Sequence, residues 1–356
     1  MSAGKVIYAK KALDQVPRLL SMLDRNEYSP TFGCFERYYW QDKVLDTPSA
    51  HSQEAVLVLA LIYKYDLPDS PYYSNDKIRG WCIAGMRFWA QIQHNDGSFD
   101  EFYPNERAFG ATAITLYAVL ESYGLLKEEM SSKDSNLILD AIYKAAMWLT
   151  KNDEPYLLTN HQAQASVALL KAGALLDEDV FSKAVHGRME KVIEAQSQEG
   201  WFPEYGGADL GYLTTTISFL AKYYKETEDK RLLEILNKAI SFSSYFIYPN
   251  NAFGGIIGSR NTAHFWPHGF EIMASEIPLA GSVADAALEG IKDGAMISSG
   301  MEDRYFCEQQ YDFLQAYLDY IPRKYGTVKM PFDKEPFSRY FDDAKIFITK
   351  KKDYYL

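Results

Sequence analysis

Residues 198–224 read QEGWFPEYGGADLGYLTTTISFLAKYY, and the change of character inside this stretch decides the fold. Its first half is dense in aromatic, charged and glycine residues. From Tyr212 onward it becomes small and apolar with helical spacing. The same passage from a polar-aromatic loop into an apolar helix recurs at 31–42, 95–107, 153–161, 253–271 and 298–305. A period of roughly 50–60 residues marks a repeat architecture. Amphipathic segments at 8–25, 78–93, 137–150, 181–196, 232–245 and 283–291 alternate with segments read as inner helices at 51–65, 109–125, 161–176, 212–224, 270–277 and 304–320, of which 51–65 is the most apolar all round. A helix apolar all round expects burial on every side, and an amphipathic one expects solvent on one face. The pattern therefore predicts an all-α, (α/α)6-type incomplete toroid of six helical hairpins, with the apolar helices inside. All six loops would meet at one end of the ring and build one cleft. A rigid scaffold that gathers loops in this way is where chemistry is expected.

Composition narrows the class. The 356 residues include 47% hydrophobic side chains, enough for a large core, and 15% aromatics, with 27 Tyr, 20 Phe and 6 Trp. Aromatic loops suit sugar rings, although most such residues fill cores. A net charge of −11, with Lys350–Lys352 as the one basic block, argues against nucleic acid. The first 25 residues lack the apolar core of a signal peptide, and no run approaches a membrane span, so a cytoplasmic protein away from membranes is expected. Cys34, Cys82 and Cys307 are odd in number and far apart, which fits neither a disulfide framework nor a CxxC metal site. Gly254-Gly255 to Gly258 lacks the strand–helix context of a dinucleotide loop, and no GxSxG elbow occurs. No cofactor is expected. Oligomeric state is not encoded in any feature of the chain.

After Pro322 the character changes. The toroid is expected over 1–322. Residues 323–356 are expected to hold a Pro- and aromatic-rich linker, then two strands, 344–349 and 353–356, around a turn at Lys350–Lys352. A lone hairpin is barely stable in water, so the expectation is the beginning of a β-sandwich domain that continues beyond this chain.

Three segments carry a resemblance. Thr159-Asn160-His161, followed by Ala168-Leu169-Leu170, opens an inner helix. About forty residues on comes Gly200-Trp201-Phe202-Pro203-Glu204 with Tyr212, and then Phe253-Gly254-Gly255 to Gly258-Ser259-Arg260-Asn261. In order and spacing these segments resemble the heparinase II/III-like and alginate-lyase-like polysaccharide lyases. Phe341 to Ile348 is similar to the first strand of the β-sandwich that follows the toroid there. The resemblance implies β-elimination on a uronate-containing oligo- or polysaccharide, with Tyr212 as the catalytic tyrosine. The chain departs from the pattern where a basic group usually follows that tyrosine and Leu213-Thr214 stand here.

Each candidate has a chemical reason. Asn160, His161 and Arg260 would contact a uronate carboxylate, which acidifies the neighbouring C5 proton. Tyr212 would move that proton, and because a free tyrosine titrates near 10, it needs positive charge nearby. Glu101, Tyr103, Glu106 and Arg107 form the densest polar cluster and are read as sugar-binding, with a local Glu106–Arg107 ion pair as the alternative. Glu204 and Asp209 offer the carboxylates of a glycoside hydrolase, to be used with Glu101, while Asp209 equally suits an N-cap. Asn261, His264 and Trp266 are placed in the cleft, and Trp201, Tyr39 and Trp40 are read as stacking walls. His264 and His268 stand at i and i+4, but Pro267 between them argues against a helix, so no metal is assigned. The leading reading is a polysaccharide lyase-like enzyme. The alternatives are a hydrolase on the same toroid and a non-catalytic glycan-binding or polysaccharide-biosynthesis protein. A terpenoid cyclase would need a DxDD or DDxxD run, and neither string occurs.

Overall fold

The computed structural model describes residues 4–259, 263–296, 302–323 and 328–356. Helix takes up 58% of the chain and strand 6%. The first predicted helix is two, α1 (Val6–Leu13) and α2 (Val16–Met22). Pro17 explains the break, because inside a continuous helix its ring would clash with the Leu13 carbonyl. A single turn, α3 (Arg37–Trp40), lies in the first loop.

From there inner and outer helices alternate. Ordered along the chain they are α4 (Ala55–Lys64), α5 (Asp76–Gln91), α6 (Phe109–Leu126), α7 (Ser132–Lys151), α8 (Thr159–Leu176), α9 (Ser182–Glu194), α10 (Leu210–Thr227), α11 (Arg231–Ser244), α12 (His268–Met273), α13 (Pro278–Asp293) and α14 (Asp303–Asp319). The even-numbered members from α4 onward pack each on the next, and α14 returns to α4, so the inner ring closes. Helix α6 is buried all round, whereas α7 buries the stripe Ile138, Ala141, Ile142, Ala145 and Leu149 and leaves its other face wet. Helix α6 has the length and apolarity of a membrane span, but here it is a wall of the ring, largely covered by its neighbours.

A motif repeats at the loop starts. Gln93 and Gln196 each donate Nε2 to the carbonyl of a glycine four residues on, Gly97 and Gly200, both at 3.1 Å. Each also donates to a carbonyl of the next outer helix, Ala141 O at 2.9 Å and Ile235 O at 2.8 Å. Gly97 (φ 100°) and Gly200 (φ 106°) lie against the carbonyls of Lys144 and Lys238, where any Cβ would collide. Phe99 and Phe202 follow and are buried. This Gln-x3-Gly-x-Phe unit fastens the entry of a loop to the outer helix that follows it.

After Phe99 and Phe202 the loops turn back on themselves, through a bridge Phe99–Ala108 and a pair of two-residue strands, β1 (Pro203–Glu204) and β2 (Gly207–Ala208). The chain then enters an inner helix. For α10 the entry is capped by Asp209, whose carboxylate accepts from Tyr212 N at 3.1 Å.

At the C-terminal end, β3 (Phe337–Phe341) pairs antiparallel with β4 (Ile346–Lys350). The predicted strand at 344–349 is thus β4, but its full partner lies in the segment read as linker. The 353–356 segment adds a bridge, Lys350–Tyr355, two backbone bonds between Thr349 and Leu356, and one from Lys351 N to Tyr354 O. Alternation explains the shift: Phe341 is buried against Phe242 (ring centroids 4.8 Å) and Tyr245 (5.4 Å), which fixes the register of β3 on the outer face of α11.

Candidate functional site

One large cleft, about 630 Å³ in volume, opens at the end of the ring where the inner helices begin. Four of the six loops reach it, together with the turn before α4. The structure corrects the expectation that all six converge there. The first loop turns away: Trp40 donates its indole N–H to Met22 O at 2.7 Å, and neither Tyr39 nor Trp40 lines the cleft. The described residues of the 253–271 loop do not line the cleft. Its helix α12 is short and starts low in the ring, where His268 N reaches Asp312 at 3.0 Å.

The wall from α8 carries Asn160 and His161 in its first turn. Asn160 is gripped from below by Glu204, which accepts from its backbone N at 2.6 Å and from its Nδ2 at 2.7 Å. Gln164 Nε2 donates to Asn160 Oδ1 at 3.1 Å. Burial pushes the Glu204 carboxyl up to about 8, against the pull of these Asn160 donors. Glu204 is therefore a support beneath the site, and Asp209 is a helix cap. Neither lines the cleft, so the pair expected for a hydrolase is not presented to substrate, although Glu101 is.

His161 faces Glu154 across the loop, Nδ1 to Oε1 at 2.6 Å. Burial alone would lower the imidazolium pKa. The hydrogen bond and charge of Glu154 outweigh it, and the net direction is upward. Glu154 is held in place by its neighbour Asp153, which Arg188 of α9 engages at 3.1 Å. The same guanidinium donates to Asn152 O (2.6 Å) and Gln162 Oε1 (2.7 Å) and is almost fully buried. Gly110, in the first turn of α6, leaves room for the imidazole. A Cβ there would stand 2.5 Å from His161 Cε1.

The opposite wall is made by Tyr212 of α10 and Tyr305 of α14, whose hydroxyls meet at 2.7 Å. Tyr205 leans on Tyr212 (5.5 Å between ring centroids), and His264 stacks on Tyr305 (4.6 Å). His264 and Trp266 thus stand behind the tyrosines rather than in the lining.

The 95–107 loop forms the rim. Arg107 pairs with Asp96, not with Glu106, and Glu106 instead accepts the backbone N–H groups of Glu101 (2.9 Å) and Phe102 (2.7 Å). Glu101, Phe102, Glu106 and Arg107 line the cleft, whereas Tyr103 projects into solvent. Trp201 is also elsewhere, its N–H on Glu199 (3.1 Å), which binds the backbone of Asp343 and Ala344 before β4. Arg260 and Asn261 lie outside the described residues.

Several groups in the cleft were not expected from the sequence: His51, Glu154, Tyr205, Tyr305 and Glu308. For three of them the signal is position, since His51, Tyr305 and Glu308 sit at the openings of inner helices, as His161 and Tyr212 do. Among the described residues no cluster of His, Cys, Asp and Glu is arranged to hold a metal.

The sequence profile of the ulvan lyase N-terminal domain matches residues 72–269, more than half of the chain. The chain belongs to this family. The matched stretch contains Glu154, Asn160, His161, Glu204 and Tyr212. The family is polysaccharide-lyase-like and carbohydrate-active, a coarser assignment than the heparinase II/III-like resemblance of the motifs. Curated protein sequences give no match.

Solved structures show the same fold. A Paenibacillus xanthan lyase aligns with TM-score 0.63 and 11% identity, covering 98% of this chain and 34% of that one. A Streptomyces coelicolor A3 chondroitin AC lyase in complex with chondroitin sulphate aligns with TM-score 0.60 and 9% identity, covering 99% and 49%. A sugar epimerase from a ruminal bacterium aligns with TM-score 0.64 and 11% identity, covering 88% and 97%. The chain thus spans about a third of the xanthan lyase and half of the chondroitin lyase.

Proposed function

We propose that this chain cleaves a uronate-containing polysaccharide by β-elimination, in the cleft between α8 and α10. The observation that carries this reading is the convergence of Asn160, His161 and Tyr212, from two inner helices, on one cavity in a chain of a lyase family. Asn160 Nδ2 and His161, whose charged form Glu154 favours, offer donors to a carboxylate. Neutralising that carboxylate acidifies the C5 proton. Tyr212 takes the proton, the C4–O4 bond breaks, its electron pair leaves with O4, and the former C5–H pair becomes the C4=C5 double bond. The departing oxygen takes a proton from the Tyr212–Tyr305 hydroxyl pair.

Ulvan, xanthan and chondroitin sulphate, the polymers named by the matched family and the similar structures, are the ones to test. Tyr212→Phe should bind the cleaved polymer as wild type does, by calorimetry, and turn it over about 10²- to 10⁴-fold more slowly. Loss of binding together with rate, or full turnover in Tyr212→Phe, contradicts the reading.

A further inference from the structure

Six acids line the cleft, and five of them have visible partners. Asp96 pairs with Arg107, and Asp153 with Arg188 and Lys191. Glu154 holds His161, and Glu101 lies 3.6 Å from His51 Nε2. Glu106 accepts from the backbone of its own loop. The sixth, Glu308, is different. It follows Tyr305 by one turn on α14 and lines the cleft while only 6% exposed. Its Oε1 is buried with no hydrogen-bond partner among the described residues. A buried carboxyl oxygen left without a partner is costly, and such groups are rare unless a ligand completes them.

We propose that Glu308 is a substrate-contacting hydrogen-bond donor on the floor of the cleft, a third receiver of the sugar carboxylate beside Asn160 and His161. The inference rests on the uronate reading above. The surroundings favour the protonated, donating form of Glu308. Burial is the strongest influence on it, and Glu54 from the turn before α4 and Asp312 from its own helix add negative charge. Lys222 from α10 and His161 from α8 oppose them, and the net direction is well above the usual carboxylate range. A carboxylic acid has one O–H to give. A substrate carboxylate is the acceptor that gains most from it, through a short charge-assisted bond.

The experiment has two readouts. In D₂O near neutral pH, the infrared difference between wild type and Glu308→Gln should contain a protonated-carboxyl C=O band from Glu308. Its absence overturns the proposal without reference to activity. The second readout is binding of D-glucuronate against D-glucose, followed by NMR titration. Wild type and Glu308→Gln, which keeps a donor, should prefer glucuronate. Glu308→Ala should lose about 10- to 100-fold of that preference, the usual range for a hydrogen bond to a charged group. Equal preference in Glu308→Ala and wild type overturns the proposal. A wild type that prefers glucuronate through Glu308 yet makes no unsaturated product sinks the elimination reading alone. Unsaturated product with an unchanged Glu308→Ala sinks the Glu308 role alone.

Discussion

The two mouths of the ring are built from the two ends of the same inner helices, and both are rich in charge. At the far mouth the charges face one another across neighbouring helices. Lys171 bridges Glu121 and Glu226, both at 2.8 Å, and Lys225 and His268 share Asp319, both at 2.7 Å. Lys222 is buried 2.8 Å from Ser218 and 3.6 Å from Asp312. The space left there is about 140 Å³, against about 630 Å³ at the cleft. At the cleft mouth partners come from behind or beside: Glu204 under Asn160, Glu154 beside His161, Tyr305 beside Tyr212. The far arrangement ties helix to helix. The near one fixes side chains while leaving their other edges facing a cavity. Charge content does not distinguish a site from a clamp; the direction from which each charge is satisfied does.

After Tyr212→Phe, the largest expected effect on this contrast comes from Gly110→Ala. The new methyl would displace the His161 ring, and a misplacement near 1 Å costs up to about 100-fold in rate. The test is kcat/KM against thermal stability, and an unchanged kcat/KM would mean that His161 placement does not matter. Next is Glu154→Gln. His161 then keeps its burial, which lowers its pKa, and loses the chief group raising it. The imidazolium would deprotonate at lower pH, so the alkaline limb of the kcat/KM profile should move to lower pH.

Glu204 gives a smaller, thermodynamic effect. Its carboxyl is raised from 4.5 to about 8 in the folded protein. The folded state therefore holds the proton more tightly than the unfolded chain. The stability this contributes is complete below pH 4.5 and falls as pH rises towards 8, at up to about 1.4 kcal/mol per pH unit. Glu204→Gln should flatten that decline in a denaturant series, and an identical slope in both proteins would contradict it. The smallest effect belongs to the far mouth. Lys225→Ala breaks a half-exposed pair and should cost about 1 kcal/mol or less with no change in kcat/KM. A rate loss there would erase the distinction between the two ends.

The toroid was legible because inner and outer segments leave different patterns, clearest in the all-round apolar stretch 55–63 and the one-sided stripe of α7, and because the loop-to-helix passage recurs six times. Cleft-lining positions were legible where a residue opens an inner helix, as Asn160, His161 and Tyr212 do. Composition misled elsewhere. Trp201, Tyr39 and Trp40 are aromatic loop residues, yet nothing in their types says on which side of the loop they fall, and they pack outward or beneath. Glu204 has the type of a catalytic acid and the position of a strut. Glu154 and Tyr305 escaped notice because their roles come from partners. Tyr305 meets Tyr212 across 93 residues of sequence, a contact that only ring closure creates. The Gln-x3-Gly-x-Phe motif was present in the chain and would have located two loop entries.

Elimination at the open mouth is open to a direct test. The most direct measurement follows new near-UV absorbance and new reducing ends together while wild type digests ulvan, xanthan or chondroitin sulphate. Elimination predicts one conjugated double bond for every reducing end released. Reducing ends that accumulate without the absorbance would contradict the account and point to hydrolysis on the same ring.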